Sequence, residues 1–216
     1  TKLIKDCQGL VRAAEHAKKM KFNHPIDIIV SGEVSGIMAH ENVGHPSEGD
    51  RILGREGAQA GESFYADLLE ENELGEVRLG TEEVSIIDDP TILGSPGFYL
   101  YDDECVKAKK RYLIKDGMLN ELLLNREYAA RFDTKSTAAA RAITYAREPI
   151  PRMANTFFEK GNHTKEELFE DITEGLYMNS FTEWNIDDRR FQSKYVGLEA
   201  YLIQDGEITD QMIRRP

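Results

Sequence analysis

Hydrophobic positions recur at helical spacing near the start of the chain and then give way to a short β-branched run. Residues 2–20 carry their apolar side chains three or four positions apart, which predicts an amphipathic helix with Cys7 on its buried stripe. The run PIDIIVSG, Pro25 to Gly32, predicts a short buried strand that ends at a glycine. The next segment, EVSGIMAHENVGH, is predicted to be helical. The expected local order is therefore helix, strand, turn and helix.

Alternating apolar and polar positions follow in the rest of the chain. EVSIIDD at 83–89 and GFYLYDD at 97–103 have the two-residue period of strands. Tyr-Leu-Ile-Lys-Asp-Gly at 112–117 returns as Tyr-Leu-Ile-Gln-Asp-Gly at 201–206, and Asp-Gly between alternating runs predicts a hairpin because both residues tolerate positive φ. Whether the two hairpins mark a duplicated unit stays open. The pattern predicts an α+β fold with mixed, largely antiparallel sheets and hairpins, plus a motif helix and an N-terminal helix.

Length, composition and charge narrow the classes of protein to which this chain belongs. Its 216 residues, 40% of them hydrophobic, with a mean hydropathy of −0.51, suffice for one large domain or two small ones. No apolar run approaches about 18 residues and the start lacks a signal-peptide hydrophobic region, so we expect a cytoplasmic protein without a membrane partner. The net charge of −12 argues against a nucleic-acid partner. Cys7 and Cys105 show no C-x-x-C pattern and are expected to be free thiols.

The stretch GIMAHENVGHPSEGD is the strongest candidate for chemistry, because it places His40 and His45 around Glu41. On an ideal helix, residues five apart are separated by about 140° around the axis, so both imidazoles cannot face one ion from regular positions. Gly44 permits irregular backbone, and Pro46 is expected to push His45 away from helical angles toward an extended conformation. We therefore predict that the helix overwinds, bulges or ends between the two histidines, which lets them share a metal ion.

The residue types in this motif suit a metal-dependent hydrolase. Neutral imidazole nitrogens are preferred zinc ligands, and a catalytic zinc needs three protein ligands plus an open position for water. A carboxylate beside that water can accept its proton, which makes Glu41 the candidate base for attack on a peptide carbonyl. Alternatively, both histidines are helix-end and turn residues with ordinary hydrogen bonds. The glycine-rich GREGAQAG at 54–61 lacks the Gly-Lys-Ser/Thr ending of a phosphate loop and is expected to be a flexible loop beside the site.

Three segments of the sequence resemble a single family. HENVGHPSEGD (40–50), PRMANTFF (151–158) and EAYLIQDG (199–206) are similar to segments of the TldD/PmbA family of metallopeptidases, specifically its metal-bearing TldD-like members, and the resemblance runs from about Pro25 to the end. It implies zinc-dependent hydrolysis of unfolded or flexible peptides, in leader trimming or degradation. Family members often pair, so the implied partners are a peptide substrate and, in a homodimer or heterodimer, a second copy or a PmbA-like paralogue.

By this resemblance, His40 and His45 are zinc ligands and Glu41 is the catalytic glutamate that activates a metal-bound water. The family's third ligand is a cysteine in a glycine-rich segment near its C-terminus, and neither Cys7 nor Cys105 fits that pattern. The family also has a sizeable N-terminal domain ahead of the matching region. We therefore expect residues 1–216 to form an incomplete catalytic domain of the C-terminal type, whose own zinc site is weak and whose own activity is reduced or absent.

Three further residues each have two interpretations. Glu48 either completes the two-histidine site as a ligand or, as we expect, orients one of the histidines from outside the ligand set. Arg152 and Asn155 either line a peptide cleft or occupy the ordinary edge of a strand.

The chain as a whole also has an alternative function, as a non-catalytic peptide-binding or assembly module with a vacant motif. Metal content distinguishes the enzyme from the module.

Overall fold

The computed structural model describes residues 1–58 and 60–216. Its α-helices are α1 (Lys2–His16), α2 (Gly32–Ala39), α3 (Gly49–Ile52), α4 (Tyr65–Glu71), α5 (Arg126–Arg131) and α6 (Glu167–Glu170). Its strands are β1 (Asp27–Val30), β2 (Ile86–Asp88), β3 (Arg111–Lys115), β4 (Met118–Leu119), β5 (Ala140–Arg141), β6 (Ile150–Pro151), β7 (Thr156–Phe158), β8 (Glu174–Met178), β9 (Phe181–Ile186), β10 (Ser193–Gly197), β11 (Ala200–Gln204) and β12 (Glu207–Met212). Between α2 and α3 the chain passes through a π-helical turn, His40–Gly44, and a 3₁₀ turn, His45–Ser47. Within the described residues, none of the helices has both the length and the apolar character that a bilayer crossing requires.

These elements fall into two compact units. The first unit comprises Thr1–Ser35, Gly161–Asn185 and Lys194–Pro216. It contains α1 and a four-stranded sheet in the order β1-β8-β11-β12. β1 pairs in parallel with β8, whereas β11 pairs antiparallel with both β8 and β12. Leu176, Leu202 and Ile213 form the buried apolar core of this sheet.

The second unit carries the histidine motif. It comprises Gly36–Lys160 and Ile186–Ser193. Its four-stranded antiparallel sheet has the order β4-β3-β2-β7. Ala39 and Val43 of the motif share one buried apolar cluster with Ile86 of β2 and Leu113 of β3. This packing fixes the motif on the sheet. β9 and β10 pair with each other, and the turn that joins them belongs to the second unit.

Both Asp-Gly hairpins form where the sequence predicts them. β3 and β4 are joined by Asp116 and Gly117, whose φ angles are 50° and 77°. β11 and β12 are joined by Asp205 and Gly206, whose φ angles are 48° and 82°. Positive φ at both central residues matches the right-handed twist of the flanking strands. The α+β prediction, with mixed and largely antiparallel sheets, is confirmed.

The N-terminal helix forms, but its buried face differs from the prediction. Leu3 is 72% exposed, and Cys7 is an exposed free thiol. The buried residues of α1 are Gly9 and Ala13, and a Cβ on Gly9 would lie 2.7 Å from Glu199 Oε2. The helix therefore packs through its small residues, because only they allow so close an approach.

Two predicted strands also differ from the structure. β1 is present at the end of the strand order of its sheet, but it is not a buried strand, since Ile28 is 54% exposed. GFYLYDD at 97–103 is not a strand. The Tyr99 N–H donates to Pro90 O in a turn, and the Tyr99 hydroxyl donates to Ala138 O at 2.6 Å. The segment forms turns and a single antiparallel bridge between Tyr101 and Lys107, and Leu100 and Tyr101 are 67% and 60% exposed.

Candidate metal centre

His40 and His45 converge on one side of the π-helical turn. The His45 N–H donates to the carbonyl oxygen of His40, the five-residue hydrogen bond that defines this kind of turn. The wider turn brings the two imidazoles together, with ring centroids 4.7 Å apart and planes at 80°. One ligand atom from each of His40, Glu41 and His45 lies within 4.8 Å of the others. The helix thus bulges between the histidines, as predicted, and three donor groups converge.

The backbone reaches this geometry by a different route from the one expected. Gly44 has φ −58° and ψ −59°, and His45 has φ −62° and ψ −44°, so both are right-handed helical. The expectation that Pro46 drives His45 into an extended conformation is therefore wrong. Pro46 lies in the first residues of the 3₁₀ turn, where its missing N–H is tolerated. The Ser47 hydroxyl donates to Val43 O at 2.7 Å, so the widened turn keeps that carbonyl paired.

Gly44 is required for space, because Met153 packs directly against it. A Cβ on Gly44 would lie 1.8 Å from Met153 Sδ and 2.9 Å from its Cγ. Met153 is buried in the same cluster as Ala39 and Val43 of the motif. The PRMANT segment therefore meets the HENVGH segment through a glycine–methionine contact.

Gly44→Ala is expected to destabilise the protein by about 1–3 kcal/mol, because the added methyl group overlaps Met153 in a closed interior. Met153→Ala in the Gly44→Ala background is expected to recover part of that loss. Urea denaturation of the single and double variants measures the coupling between the two positions. Gly36→Ala in the preceding helix is the control, because nothing lies within 4 Å of its Cβ. Equal stability of Gly44→Ala and Gly36→Ala would contradict the packing role of Gly44.

Glu48 holds His45 from the buried side. Its Oε2 lies 3.0 Å from His45 Nδ1 and 3.6 Å from Arg152 Nη1, and it also accepts from Arg51 Nε. Burial alone would raise the pKa of Glu48, but the hydrogen bond with His45 and the charges of the two arginines outweigh it, so the pKa lies below its ordinary value. An ionised Glu48 keeps the proton on Nδ1 and leaves the lone pair of His45 Nε2 available to a metal ion. Glu48 thus occupies the orienting position expected of it.

The two remaining groups of the cluster have different surroundings. Burial lowers the pKa of His40, and the neighbouring His45 lowers it further, which favours the neutral imidazole that a metal ion requires. The Glu41 carboxylate is largely buried. Its Oε2 lies 3.9 Å from His45 Nε2 and 3.3 Å from Arg190 Nη1. The site therefore combines two imidazoles with a carboxylate that contacts the guanidinium of Arg190.

The sequence gives no sign that Arg190 belongs to this site, since 149 positions separate it from Glu41. No spacing in its own segment, IDDRRFQ, relates it to the motif. Ala60 O accepts from both Arg190 Nη2 and Arg51 Nη1. Ala60 belongs to the glycine-rich loop that was expected beside the site, and Gln59 of that loop lies outside the described residues.

Comparison with known proteins places the chain in a family. The family model described as PmbA/TldA metallopeptidase C-terminal domain matches residues 23–214. The chain belongs to the PmbA/TldD family. This PmbA/TldD membership confirms the resemblance carried by the three sequence segments. It also makes the protein a member of a metallopeptidase family.

Curated relatives of this PmbA/TldD chain are named as metalloproteases. A metalloprotease of Methanocaldococcus jannaschii is 39% identical over 182 residues, which cover 84% of this chain and 38% of the relative. A protein of Saccharolobus solfataricus named zinc metalloprotease TldD homolog is 33% identical over 153 residues, which cover 71% of this chain and 32% of the relative. The chain therefore spans well under half the length of these curated relatives.

A solved structure has the same fold as this PmbA/TldD chain. TldE from Thermococcus kodakarensis superposes with a TM-score of 0.63 at 18% sequence identity. The match covers 84% of this chain and 41% of the TldE chain. At this level of identity the likeness concerns the fold alone.

In this PmbA/TldD chain, Arg152 and Asn155 of the PRMANT segment have structural partners. Arg152 Nη1 donates to Asp50 Oδ2 at 2.8 Å and lies 3.6 Å from Glu48 Oε2. Asn155 Nδ2 donates to Asp89 O at 2.7 Å. Arg152 thereby holds the acidic residues that follow the second histidine, and Asn155 ties the segment to the end of β2. These contacts favour a structural role for both residues over direct substrate contact.

Proposed function

We propose that this chain forms the zinc-binding, catalytic region of a peptidase, with His40 and His45 as metal ligands and Glu41 as proton acceptor. The observation that carries the proposal is the convergence of the three donor groups within 4.8 Å. The two histidines fit zinc, because imidazole nitrogens are among its usual ligands and Glu48 leaves His45 Nε2 available. Membership of a metallopeptidase family and a relative named as a zinc metalloprotease support the same chemistry.

In the proposed mechanism, Glu41 and Glu48 have different roles. Bound zinc supplies Lewis acidity, which polarises a peptide carbonyl and lowers the pKa of water. The Glu41 carboxylate accepts the proton of the attacking water and delivers it to the nitrogen of the leaving amine. The C–N bond breaks, and the two products take up the elements of water as a carboxyl group and an amine. Glu48 keeps His45 in one orientation, so that the ligand atom does not move.

A catalytic zinc takes three protein ligands, and His40 and His45 supply two if Glu41 acts as a base. The family resemblance assigns the third ligand to a cysteine in a glycine-rich segment. We propose that such a residue from outside positions 1–216 completes the site. On the same basis we propose that the protein pairs with a second copy or with a PmbA-like paralogue.

The proposed substrate is an unfolded or flexible peptide, because only an extended chain can pair with a sheet edge. Among the described strands, β7 stands at the end of its sheet. The backbone groups of Asn155 and Glu159 bond toward β2, so by alternation those of Thr156 and Phe158 point away from it. These groups lie on the segment that packs Met153 against the motif. A peptide that pairs with this edge is recognised through its backbone groups, so peptides with varied side chains can bind.

Zinc analysis and peptide cleavage by the complete protein, purified without chelator, test this proposal. We expect stoichiometric zinc and cleavage of a flexible peptide, with cleavage lost on chelation and restored by added zinc. His45→Ala is expected to lose both zinc and cleavage. His24→Ala should keep both, because His24 is exposed and outside the donor cluster.

A binding module would behave differently in the same assays. A complete protein that holds no zinc and binds a flexible peptide without cleaving it would reject the peptidase proposal and favour a non-catalytic module. The zinc content of residues 1–216 alone, beside that of the complete protein, tests the third ligand. A weaker site in the isolated residues 1–216 is expected, and equal affinity would show that His40, Glu41 and His45 suffice.

A further inference from the structure

The turn that joins β9 and β10 is ordered around Asp187. The Asp187 carboxylate accepts from the Phe191 N–H at 2.8 Å and from the Gln192 N–H at 3.3 Å. The Asp187 carbonyl oxygen accepts from the Arg190 N–H at 3.0 Å. These hydrogen bonds fix the backbone of the turn and therefore the position of the Arg190 Cα.

The backbone of Arg190 adopts the left-handed conformation, with a φ of 59°. Glycine and asparagine adopt this conformation readily, but for other residues it costs about 1 kcal/mol or more. If this residue served only to form the turn, the protein would be more stable with glycine at this position. Contacts made by the arginine side chain can offset this strain.

The guanidinium of Arg190 reaches the metal motif. Its Nη2 donates to Ala60 O at 2.8 Å, and its Nη1 donates to Glu41 Oε2 at 3.3 Å. The side chain is only 15% exposed, so solvent screens the contact weakly. The same Glu41 oxygen lies 3.9 Å from His45 Nε2. Arg190 and the metal-binding nitrogen of His45 thus face one carboxylate oxygen.

We propose that Arg190 is a positioning residue that holds the Glu41 carboxylate out of the metal's ligand set, so that the carboxylate remains available as proton acceptor. The inference rests on the proposed function. Carboxylate oxygens are themselves good zinc ligands, and Glu41 lies close enough to both histidines to join them. A carboxylate bound to the ion is a poor base for water. The permanently charged guanidinium of Arg190 competes with the ion for that carboxylate.

Arg190→Gly tests the inference, because it removes the side chain and suits the left-handed backbone. In the complete protein, zinc affinity is expected to rise severalfold, since Glu41 can then bind the ion and a nearby positive charge is gone. The kcat for a flexible peptide is expected to fall about 10- to 100-fold. The unfolding temperature is expected not to fall, because glycine relieves the strain. Competition with a chromogenic chelator, without substrate, measures zinc affinity.

Arg189→Ala is the matched control, because Arg189 is the neighbouring residue of the same turn but pairs with Asp67 at the surface. It should retain the wild-type kcat and zinc affinity. Arg190→Lys keeps the positive charge but not the planar guanidinium group, so its kcat is expected to lie between those of Arg190→Gly and the wild type. The KM for the peptide should change little in either Arg190 variant.

Two outcomes would overturn the role of Arg190. One is a wild-type kcat and zinc affinity in Arg190→Gly, and the other is a joint fall of zinc affinity and unfolding temperature, which marks a merely structural residue. If Arg190→Gly does not fold, Arg190→Asn repeats the test with another residue that tolerates this backbone. If the proposed function is wrong, the wild-type protein does not cleave the peptide. In that case, the zinc affinities of Arg190→Gly and the wild type still test the role of Arg190.

Discussion

Glu41→Gln is expected to leave zinc binding intact and to lower kcat by about 10²- to 10⁴-fold, the usual contribution of a positioned general base. The amide keeps the size of the carboxylate and an oxygen that can accept from Arg190, whose Nη1 lies 3.3 Å from Glu41 Oε2. It has no basic oxygen to take up the proton of water. Elemental analysis and steady-state cleavage of a flexible peptide measure the two effects on one preparation.

Glu33→Gln in α2 is the control for this variant. Glu33 pairs with Lys2 at the surface and lies outside the donor cluster, so both zinc content and kcat should match the wild type. Undiminished cleavage by Glu41→Gln would reject Glu41 as the base. Loss of zinc from Glu41→Gln would instead show that Glu41 is a ligand, and this would also contradict the role assigned to Arg190.

Asp88→Ala is expected to destabilise the protein by about 3–5 kcal/mol, because it leaves the charge of Arg111 buried and unpaired. Asp88 and Arg111 form an ion pair in which both side chains are fully buried. Asp88 Oδ1 also accepts from the Ala154 N–H at 2.8 Å and from the Thr156 hydroxyl at 2.9 Å. The same segment packs against Gly44, so weaker zinc binding is expected together with the lower stability. Urea denaturation and chelator competition measure the two effects.

Glu159→Ala provides the comparison for Asp88→Ala. Glu159 pairs with Lys110, and both side chains are 39% exposed. Removing one partner of so exposed a pair is expected to destabilise the protein far less than Asp88→Ala does, because solvent screens the charge that remains. If Asp88→Ala cost no more than Glu159→Ala, the hydrogen bonds from Arg111 to the carbonyl oxygens of Thr137 and Ala138 would be sufficient to compensate the buried charge.

Much of the fold could be predicted, because its strongest signals are local. Asp116-Gly117 and Asp205-Gly206 each favour the positive φ angles that a tight hairpin needs, whatever surrounds them. The face of α1 that becomes buried was predicted incorrectly. An amphipathic pattern shows which residues share a face, but Gly9 is buried because Glu199 approaches it closely, and that contact depends on the other elements of the first unit.

The donor cluster could be predicted for a similar reason. His40, Glu41 and His45 lie within one helical segment, and their spacing already requires a widened turn if they are to face one ion. The cause of that widening was predicted only in part. Gly44 was expected to supply irregular backbone, whereas its angles are helical and its missing Cβ makes room for Met153.

Residues close together in the chain thus specified the ligand types, their spacing and the hairpin turns, since ligand chemistry and turn preferences belong to the residues themselves. Folding in three dimensions brought Met153 onto Gly44, buried Arg111 against Asp88 and set Arg190 beside Glu41. Close packing and ion pairing depend on distances through space between residues far apart in the chain. No local pattern of hydrophobic and polar positions encodes those distances.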